Sequence, residues 1–423
     1  MKRPWKVTTV QEFVDKGEVE LKTGPFGTQL HASDYVETGT PVINVRNIGF
    51  GSVVPEKLEF LDRKTVSRLS GHLLQKDDIV FGRKGAVERH AHIREAQSGW
   101  FQGSDCLRLR IRSAELNSSF ISYTLLTGNH KQWMMNQCSH GATMASLNQA
   151  IICRIPLWLP DISTQNRIAD ILSAYDDLIE NNTRRIKILE QMAQMLYREW
   201  FVNFRFPGHE KVKVVESEMG LIPEEWTPSS VGQLCCEVRR SVNPADIPAN
   251  TPYIGLEHMP RKSIALSEWG EAGQVQSTKL RFLRGEILFG KIRPYFHKVG
   301  VAPVNGVCSS DAIVIVPKQT EFFPVVLFCV SSDDFVLQAT QTSQGTKMPR
   351  ANWGVLCKYP VALPPKKLLD RFGEATVPMI ELINNLAARN RCLRTTRDLL
   401  LPKLVSGDIE ISDAEIVLEG ATV

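Results

Sequence analysis

Apolar residues recur at spacings of three and four from Ser163 to about Phe204: Ile168, Ile171, Leu172, Tyr175, Leu178, Ile179, Ile186, Leu189, Ala193, Leu196 and Trp200. No Pro or Gly interrupts this run. The spacing predicts one amphipathic helix of about forty residues, near 60 Å long at ~1.5 Å per residue. Ser163 or Thr164 is expected to cap its start, and Pro207-Gly208 to end it. A second run of the same kind spans 365–405, with Leu368, Phe372, Ala375, Met379, Leu382, Ile383, Leu386, Leu393, Leu400 and Leu404. Gly373, Pro378 and Pro402 fall inside it, so it is expected to be less regular, with a kink or break at Pro378. Apolar stripes this long need equally long partners, and the two helices are expected to pair with each other, antiparallel, as a coiled coil.

Outside these runs the pattern shortens. PVINV, DDIVF, CLRLRI, EILFG and AIVIVP are brief β-branched and apolar stretches broken by Gly, Pro, Asn and Asp. They predict two β-rich regions with some helix, at 118–136 and 321–340. The chain is therefore read as α+β.

The second half repeats the first. Residues 139–160 (SHGATMASLNQAIICRIPLWLP) lie over 343–364 (SQGTKMPRANWGVLCKYPVALP) at a constant offset of 204, with eight of 22 positions identical. Upstream, KDDIVFGRKG (76–85) lies over RGEILFGKIR (284–293), GSDCLRLRI (103–111) over SSDAIVIVP (309–317), and TPVINVRNI (40–48) over TPYIGLEHM (251–259). Chance similarity does not keep this order. The chain reads as an internal duplication, each copy a β-rich domain followed by a long helix.

Composition narrows the class. The chain has 423 residues, 43% hydrophobic and 23% charged. That excludes disordered and collagen-like chains. No uncharged apolar run reaches the ~18 residues of a membrane span. The start, Met1-Lys2-Arg3-Pro4-Trp5-Lys6, has no apolar signal core. Nine cysteines without a Cys-x-x-Cys suit a reducing, cytoplasmic setting. Net charge is only +4, but residues 406–423 hold five acids and no Lys or Arg, leaving a body of +9. Such a body tolerates an anionic partner without requiring one.

Catalytic signatures are absent. Gly285-Glu-Ile-Leu-Phe-Gly290-Lys291-Ile292 imitates a phosphate-binding loop, but Ile292 stands where Ser or Thr would hold Mg²⁺, and Ile-Leu-Phe reads as a strand. His90 and His92 lack a third ligand nearby and are expected on a surface strand. No dinucleotide fingerprint, metalloprotease helix or nucleophile elbow occurs. No cofactor or metal site is expected in this chain.

Two similar but non-identical domains suit a duplex with two different half-sites. The residues expected at DNA are cations and hydrogen-bonding side chains in equivalent loops. They are Arg83 and Lys84 after one strand and Lys291 and Arg293 after its counterpart. Thr143 and Ser146 lie in one matched loop, and Thr346, Lys347 and Arg350 in the other. Gln29 and His31 follow Gly24-Pro25-Phe26-Gly27. The same residues also suit solvated turns, and Asn148 and Asn352 suit caps of the elements that follow. A duplicated protein-binding scaffold without DNA recognition is the competing reading.

Several segments resemble the specificity subunits of type I restriction-modification systems. LPDISTQNRIADILSAYDDLIENN (159–182), continuing as RRIKILEQMAQMLYREWFVNFRFPG (184–208), is similar to that family's central conserved region. ESEMGLIPEEW (216–226) resembles the opening of its second recognition domain, GPFGTQLHASDY (24–35) that of a first, and LLLPKLVSGDIEI (399–411) its distal conserved end. The resemblance covers nearly the whole chain. It implies target recognition domains at 1–160 and 206–364, conserved helices at 161–205 and 365–405, and an acidic tail at 406–423. It implies double-stranded DNA as ligand, with each domain reading one part of a split, asymmetric target. It further implies two methyltransferase subunits docked on the helices, bringing S-adenosylmethionine, and restriction subunits bringing ATP and Mg²⁺. No catalytic residue and no membrane contact are expected here.

Overall fold

In the computed structural model, which describes residues 5–27, 29–138, 146–409 and 411, the chain divides into two units. One comprises Met1–Asp177 with Arg394–Val423, the other Leu178–Leu393. Both combine helix with small sheets.

In the first unit a five-stranded sheet runs in the order Val19–Thr23, Cys106–Ile111, Ile79–Gly82, His90–His92, Phe50–Gly51. A second sheet, of four strands, orders Tyr35–Val36, Glu59–Leu61, Thr40–Ile43, Phe101–Gln102. The second unit has a four-stranded sheet of Cys235–Glu237, Ala312–Pro317, Ile287–Gly290 and Val299–Val301. Beside it lies a five-stranded sheet of Arg240–Val242, Lys279–Phe282, Gly306–Cys308, Pro252–Ile254 and Gly270–Glu271. The segments that match in sequence hold matching places. Ile79–Gly82 pairs antiparallel with Cys106–Ile111, as Ile287–Gly290 does with Ala312–Pro317. Each second sheet contains one parallel pair, Val42 opposite Phe101 and Tyr253 opposite Val307. The strands Ile79–Gly82 and Ile287–Gly290 are buried throughout, which explains their unbroken apolar runs. The second of these runs is the phosphate-loop lookalike, and it is a strand as expected.

Both expected short helices are split. The first becomes Ser118–Leu125 and Gly128–Cys138, and the second Phe323–Val330 and Asp333–Gln341. Hydroxyls restart each: Thr127 Oγ1 accepts from the His130 N–H at 3.4 Å, and Ser332 Oγ from the Phe335 N–H at 3.2 Å. A side-chain acceptor at the break offers the backbone an alternative to helical bonding, which periodicity alone does not register.

The first long helix spans Ile162–Tyr197 and closes in a π-helical turn, Arg198–Val202. Its cap is Asp161, not the expected Ser163 or Thr164. Asp161 Oδ1 accepts from the Thr164 N–H at 2.9 Å, and these bonds hold the carboxyl below its ordinary pKa. The second long helix runs unbroken over Lys366–Ser406, so the break expected at Pro378 does not occur. Glu374, Pro378 and Pro402 are exposed, whereas Phe372, Thr376 and Ile380 are buried. The Pro378 ring and the carbonyl it leaves unbonded therefore lie on the wet side, where water can replace the lost donor, and the buried stripe continues.

In the second unit, Asn182 meets Asn390 and Phe201 meets Phe372, so the two helices run antiparallel there. In the first unit Arg397 pairs with Asp176, which also accepts from the Tyr123 hydroxyl at 2.6 Å. The Asn pair is buried. Asn182 Nδ2 donates to Asn390 Oδ1 at 3.0 Å, and Asn390 Nδ2 donates to Thr183 Oγ1 at 3.1 Å and the Ile179 carbonyl at 3.3 Å. A buried amide stripped of its partner costs ~1–3 kcal/mol, whereas removing both is near neutral. Asn390→Leu is thus expected to lower unfolding stability by ~1–3 kcal/mol, and Asn182→Leu/Asn390→Leu to recover most of it, as read by urea denaturation. A double variant as unstable as the single one contradicts the pairing.

His90 corrects another expectation. It is not on a surface strand but buried, with its Nε2 2.8 Å from Ser122 Oγ. Burial lowers its pKa to about 3, that of His130 to about 4, and, with Lys22 nearby, that of His72 to about 4. An unfolded histidine protonates near ~6.5. Between there and about pH 4 the unfolded chain binds protons that the fold refuses, so stability falls on acidification through that window. The unfolding midpoint is expected to be lower at pH 5 than at pH 7. Equal midpoints contradict the burial of these rings.

Candidate nucleic-acid interface

In the second unit the chain leaves the buried strand at Gly290 and turns at once. The Lys291 N–H donates to the Asp311 carbonyl at 2.9 Å, and the Lys291 carbonyl accepts from the Ala351 N–H at 2.9 Å. Arg293 adopts φ 48°, a left-handed conformation uncommon for a residue other than glycine. It is held there by its N–H donating to the Pro349 carbonyl at 2.8 Å and its Nη2 to the Lys347 carbonyl at 3.4 Å. Opposite stands a hairpin closed by Gln344 and Arg350, whose N–H groups each donate to the other's carbonyl at 3.0 and 2.9 Å. Its tip holds Gly345 at φ 103° and exposed Thr346, Lys347 and Met348. Arg350 Nε lies 3.5 Å from Asp311 Oδ1.

The turn and the hairpin thus bring Lys291, Arg293, Thr346, Lys347 and Arg350 to one place. Two neighbours were not singled out in the sequence. The Arg261 guanidinium lies 4.2 Å from the centre of the Phe296 ring, and Tyr295, 52% exposed, packs edge-on against Phe296. A Pro-aromatic-aromatic run directly after the Lys-x-Arg turn was the available signal. Cations interleaved with exposed aromatic surface suit phosphate contact and apolar contact with bases.

The first unit repeats the frame. The Arg83 N–H donates to the Asp105 carbonyl at 2.8 Å, and the Arg83 carbonyl accepts from the Leu147 N–H at 2.8 Å. Lys84 bridges Ser146, as Ile292 bridges Arg350, and Lys84 Nζ lies 3.7 Å from Asp105 Oδ1. Each unit therefore has a cation-bearing turn, an aspartate directly before the neighbouring strand, and a returning loop. Thr143 lies outside the described residues. Gly24 sits against this end of the sheet, where a Cβ would fall 1.9 Å from the Gly103 carbonyl oxygen, so only Gly fits. Gln29 and His31 are exposed on the loop beyond it but are not drawn into the Arg83 turn. The Gln29 carbonyl accepts from Arg68 at 2.8 Å, and the His31 N–H donates to Asp34 at 2.8 Å. Asn148 and Asn352 cap the following helices, accepting from the Ile151 N–H at 2.9 Å and the Gly354 N–H at 2.8 Å.

Among the described residues no group of three His, Cys, Asp or Glu is placed to hold a metal, and no single helix is long and apolar enough to cross a membrane.

Residues 3–191 match the model of the type I restriction modification DNA specificity domain. The chain is similar to type I restriction-modification specificity subunits. It is 24% identical to the type I restriction enzyme MjaIX specificity subunit of Methanocaldococcus jannaschii, over 70% of each chain. It is 22% identical to the HindI specificity subunit of Haemophilus influenzae, over 86% of this chain and 94% of that one. The crystal structure of a type I S subunit from M. genitalium superposes with a TM-score of 0.61 over 96% of this chain at 16% identity, which shows a shared fold.

Proposed function

We propose that this chain is the DNA sequence-reading subunit of a type I restriction-modification complex, itself without catalytic groups. The observation behind this reading is the repeated turn-and-loop frame, with Arg83, Lys84 and Ser146 in one unit and Lys291, Arg293, Lys347 and Arg350 in the other. The matching strand pairs and hydrogen bonds support an internally duplicated fold, with target recognition domains at 1–160 and 206–364. Because the frames carry different side chains, the two half-sites differ and the target is asymmetric. The helices at 161–205 and 365–405 form an antiparallel coiled-coil spacer and dock two methyltransferase subunits, and restriction subunits join that assembly. S-adenosylmethionine, ATP and Mg²⁺ belong to those partners, in the cytoplasm with the DNA. In the second frame, Arg350 and Lys347 are read as the groups that meet phosphate or guanine edges, and Tyr295 as one that meets a base or sugar.

Salt dependence separates this reading from a protein-binding scaffold. Counterion release makes log affinity for duplex DNA fall by ~0.9 per neutralised phosphate per log unit of salt. The complex containing this chain is expected to show such a slope on its target. Binding to duplex that is absent, or indifferent to salt, contradicts the proposal.

A further inference from the structure

In the second unit one carboxylate of the first long helix does work for a distant segment. Glu190 Oε1 accepts from the Ser263 hydroxyl at 2.6 Å, the Ile264 N–H at 2.8 Å and the Ala265 N–H at 3.3 Å. Ile264 and Ala265 are buried, so these main-chain donors have no ready substitute in water. The second long helix holds the same segment further along. The Arg391 guanidinium lies 3.6 Å from the centre of the Trp269 ring. Residues 261–269 are thus gripped by both long helices.

The near end of this segment reaches the second frame. Arg261 and Lys262 are exposed, directly before the residues that Glu190 holds. The Lys262 N–H donates to the His297 carbonyl at 2.9 Å, and Lys262 Nζ to Asp333 at 2.9 Å. The Arg261 guanidinium lies over Phe296, whose N–H donates to the Arg293 carbonyl at 2.9 Å. Backbone strain gathers along this path. Six residues other than glycine have positive φ among the described residues, and three of them are Lys262 at 54°, Arg293 at 48° and His297 at 52°. Such backbone persists only where its surroundings over-determine it, and it collects at binding sites. The offset of 204 sets Arg394 in register with Glu190, so this carboxylate is not part of the pattern that the two copies share.

We propose that Glu190 is a positioning residue for the second frame: by holding residues 263–265 to the long helix, it fixes the Arg261 guanidinium over Phe296, where that cation meets a phosphate of bound duplex DNA. This rests on the DNA-reading proposal and extends it to two residues, one of them on the helix. The sign of the effect separates positioning from plain electrostatics. By charge alone, removing a carboxylate favours an anionic ligand. Removing this one should weaken DNA binding instead, because Arg261 is no longer held in place.

The test is titration of the assembled complex with a duplex carrying the adenine motif methylated in its host, across a salt series. Arg261→Ala is expected to weaken binding roughly tenfold at ~0.1 M salt and to flatten the slope by ~0.9, the worth of one neutralised phosphate. Glu190→Ala should match it in both, and Glu190→Ala/Arg261→Ala should be no weaker than either single variant, because the two act through one contact. Glu190→Gln keeps an acceptor oxygen in place and should restore affinity and slope. If Glu190→Ala does not fold, Glu190→Asp carries the same test, since its carboxylate is one methylene short of residues 263–265. Unchanged or tighter binding in the folded Glu190 variant, an unaffected Arg261→Ala complex, additive losses in the double variant, or a Glu190→Gln complex as weak as Glu190→Ala would each overturn the assignment. An unaltered complex that binds no duplex brings down the DNA reading itself, and this inference with it.

Discussion

Replacing Lys291, Lys347 and Arg350 together by alanine is expected to weaken binding of the complex to its target DNA by at least about 100-fold, and to flatten its salt dependence by ~0.9 in slope for each of these cations that neutralises a phosphate. Three effects act together. The removed cations no longer release counterions from the duplex. Any one of them that reads a base edge takes a further ~1–3 kcal/mol with it. Arg350 also lies 3.5 Å from Asp311, so its loss leaves that carboxylate without its cation. The frame itself should survive, because the hairpin is closed by the main chains of Gln344 and Arg350 and the turn by the main chains of Lys291, Asp311 and Ala351. Exposed substitutions of this kind shift stability by only ~0.5 kcal/mol. Electrophoretic or fluorescence titration across a salt series checks the result. An unchanged affinity and slope in a folded variant would remove the second frame from the interface.

Phe372→Ala is expected to cost ~3–5 kcal/mol of stability in the second unit. The ring is fully buried on the second long helix, with Phe201 at 4.8 Å, Trp200 at 5.7 Å, Phe328 at 6.4 Å and Tyr197 at 6.5 Å between centres. Its loss opens a cavity among rings from three different helical segments, which cannot all collapse inward together. Hydrogen exchange places the effect: amides of the helices within 178–393 should lose protection by ~100-fold or more. Leu399→Ala, at an exposed position on the same helix, serves as the contrast and should change little. Retained protection in the Phe372 variant contradicts the packing described.

Much of the fold was legible because similar apolar runs recur in both halves of the chain. A buried strand needs an unbroken apolar run, so Ile-Val-Phe-Gly at 79–82 and Ile-Leu-Phe-Gly at 287–290 could be matched despite few identities. The long helices followed from their apolar stripes. Their details did not, because each depended on a direction that spacing does not encode. Pro378 breaks a helix only if its ring and its unbonded carbonyl face packed neighbours, and here both face water. Asp161 caps the first helix from just ahead of the expected caps, Ser163 and Thr164. His90 lies on a strand too short to show alternation, so its burial beside Ser122 was hidden.

The interface divides in the same way. Cations after equivalent strands, such as Arg83 and Lys291, were visible as a repeated pattern. That the turn after each strand closes against the loop some sixty residues later was not, because those bonds are made by main-chain groups common to every residue. Arg261 escaped notice for a related reason. Its contact with Phe296 joins segments 35 positions apart, and no local period announces it.

The account rests on sequence-specific recognition of a split DNA target, and the most direct measurement maps methylated adenines across the DNA of cells with and without this gene by single-molecule sequencing. The account predicts that one gapped, asymmetric methylated motif disappears when the gene is deleted and returns when it is restored. A methylation pattern identical with and without the expressed chain would contradict it.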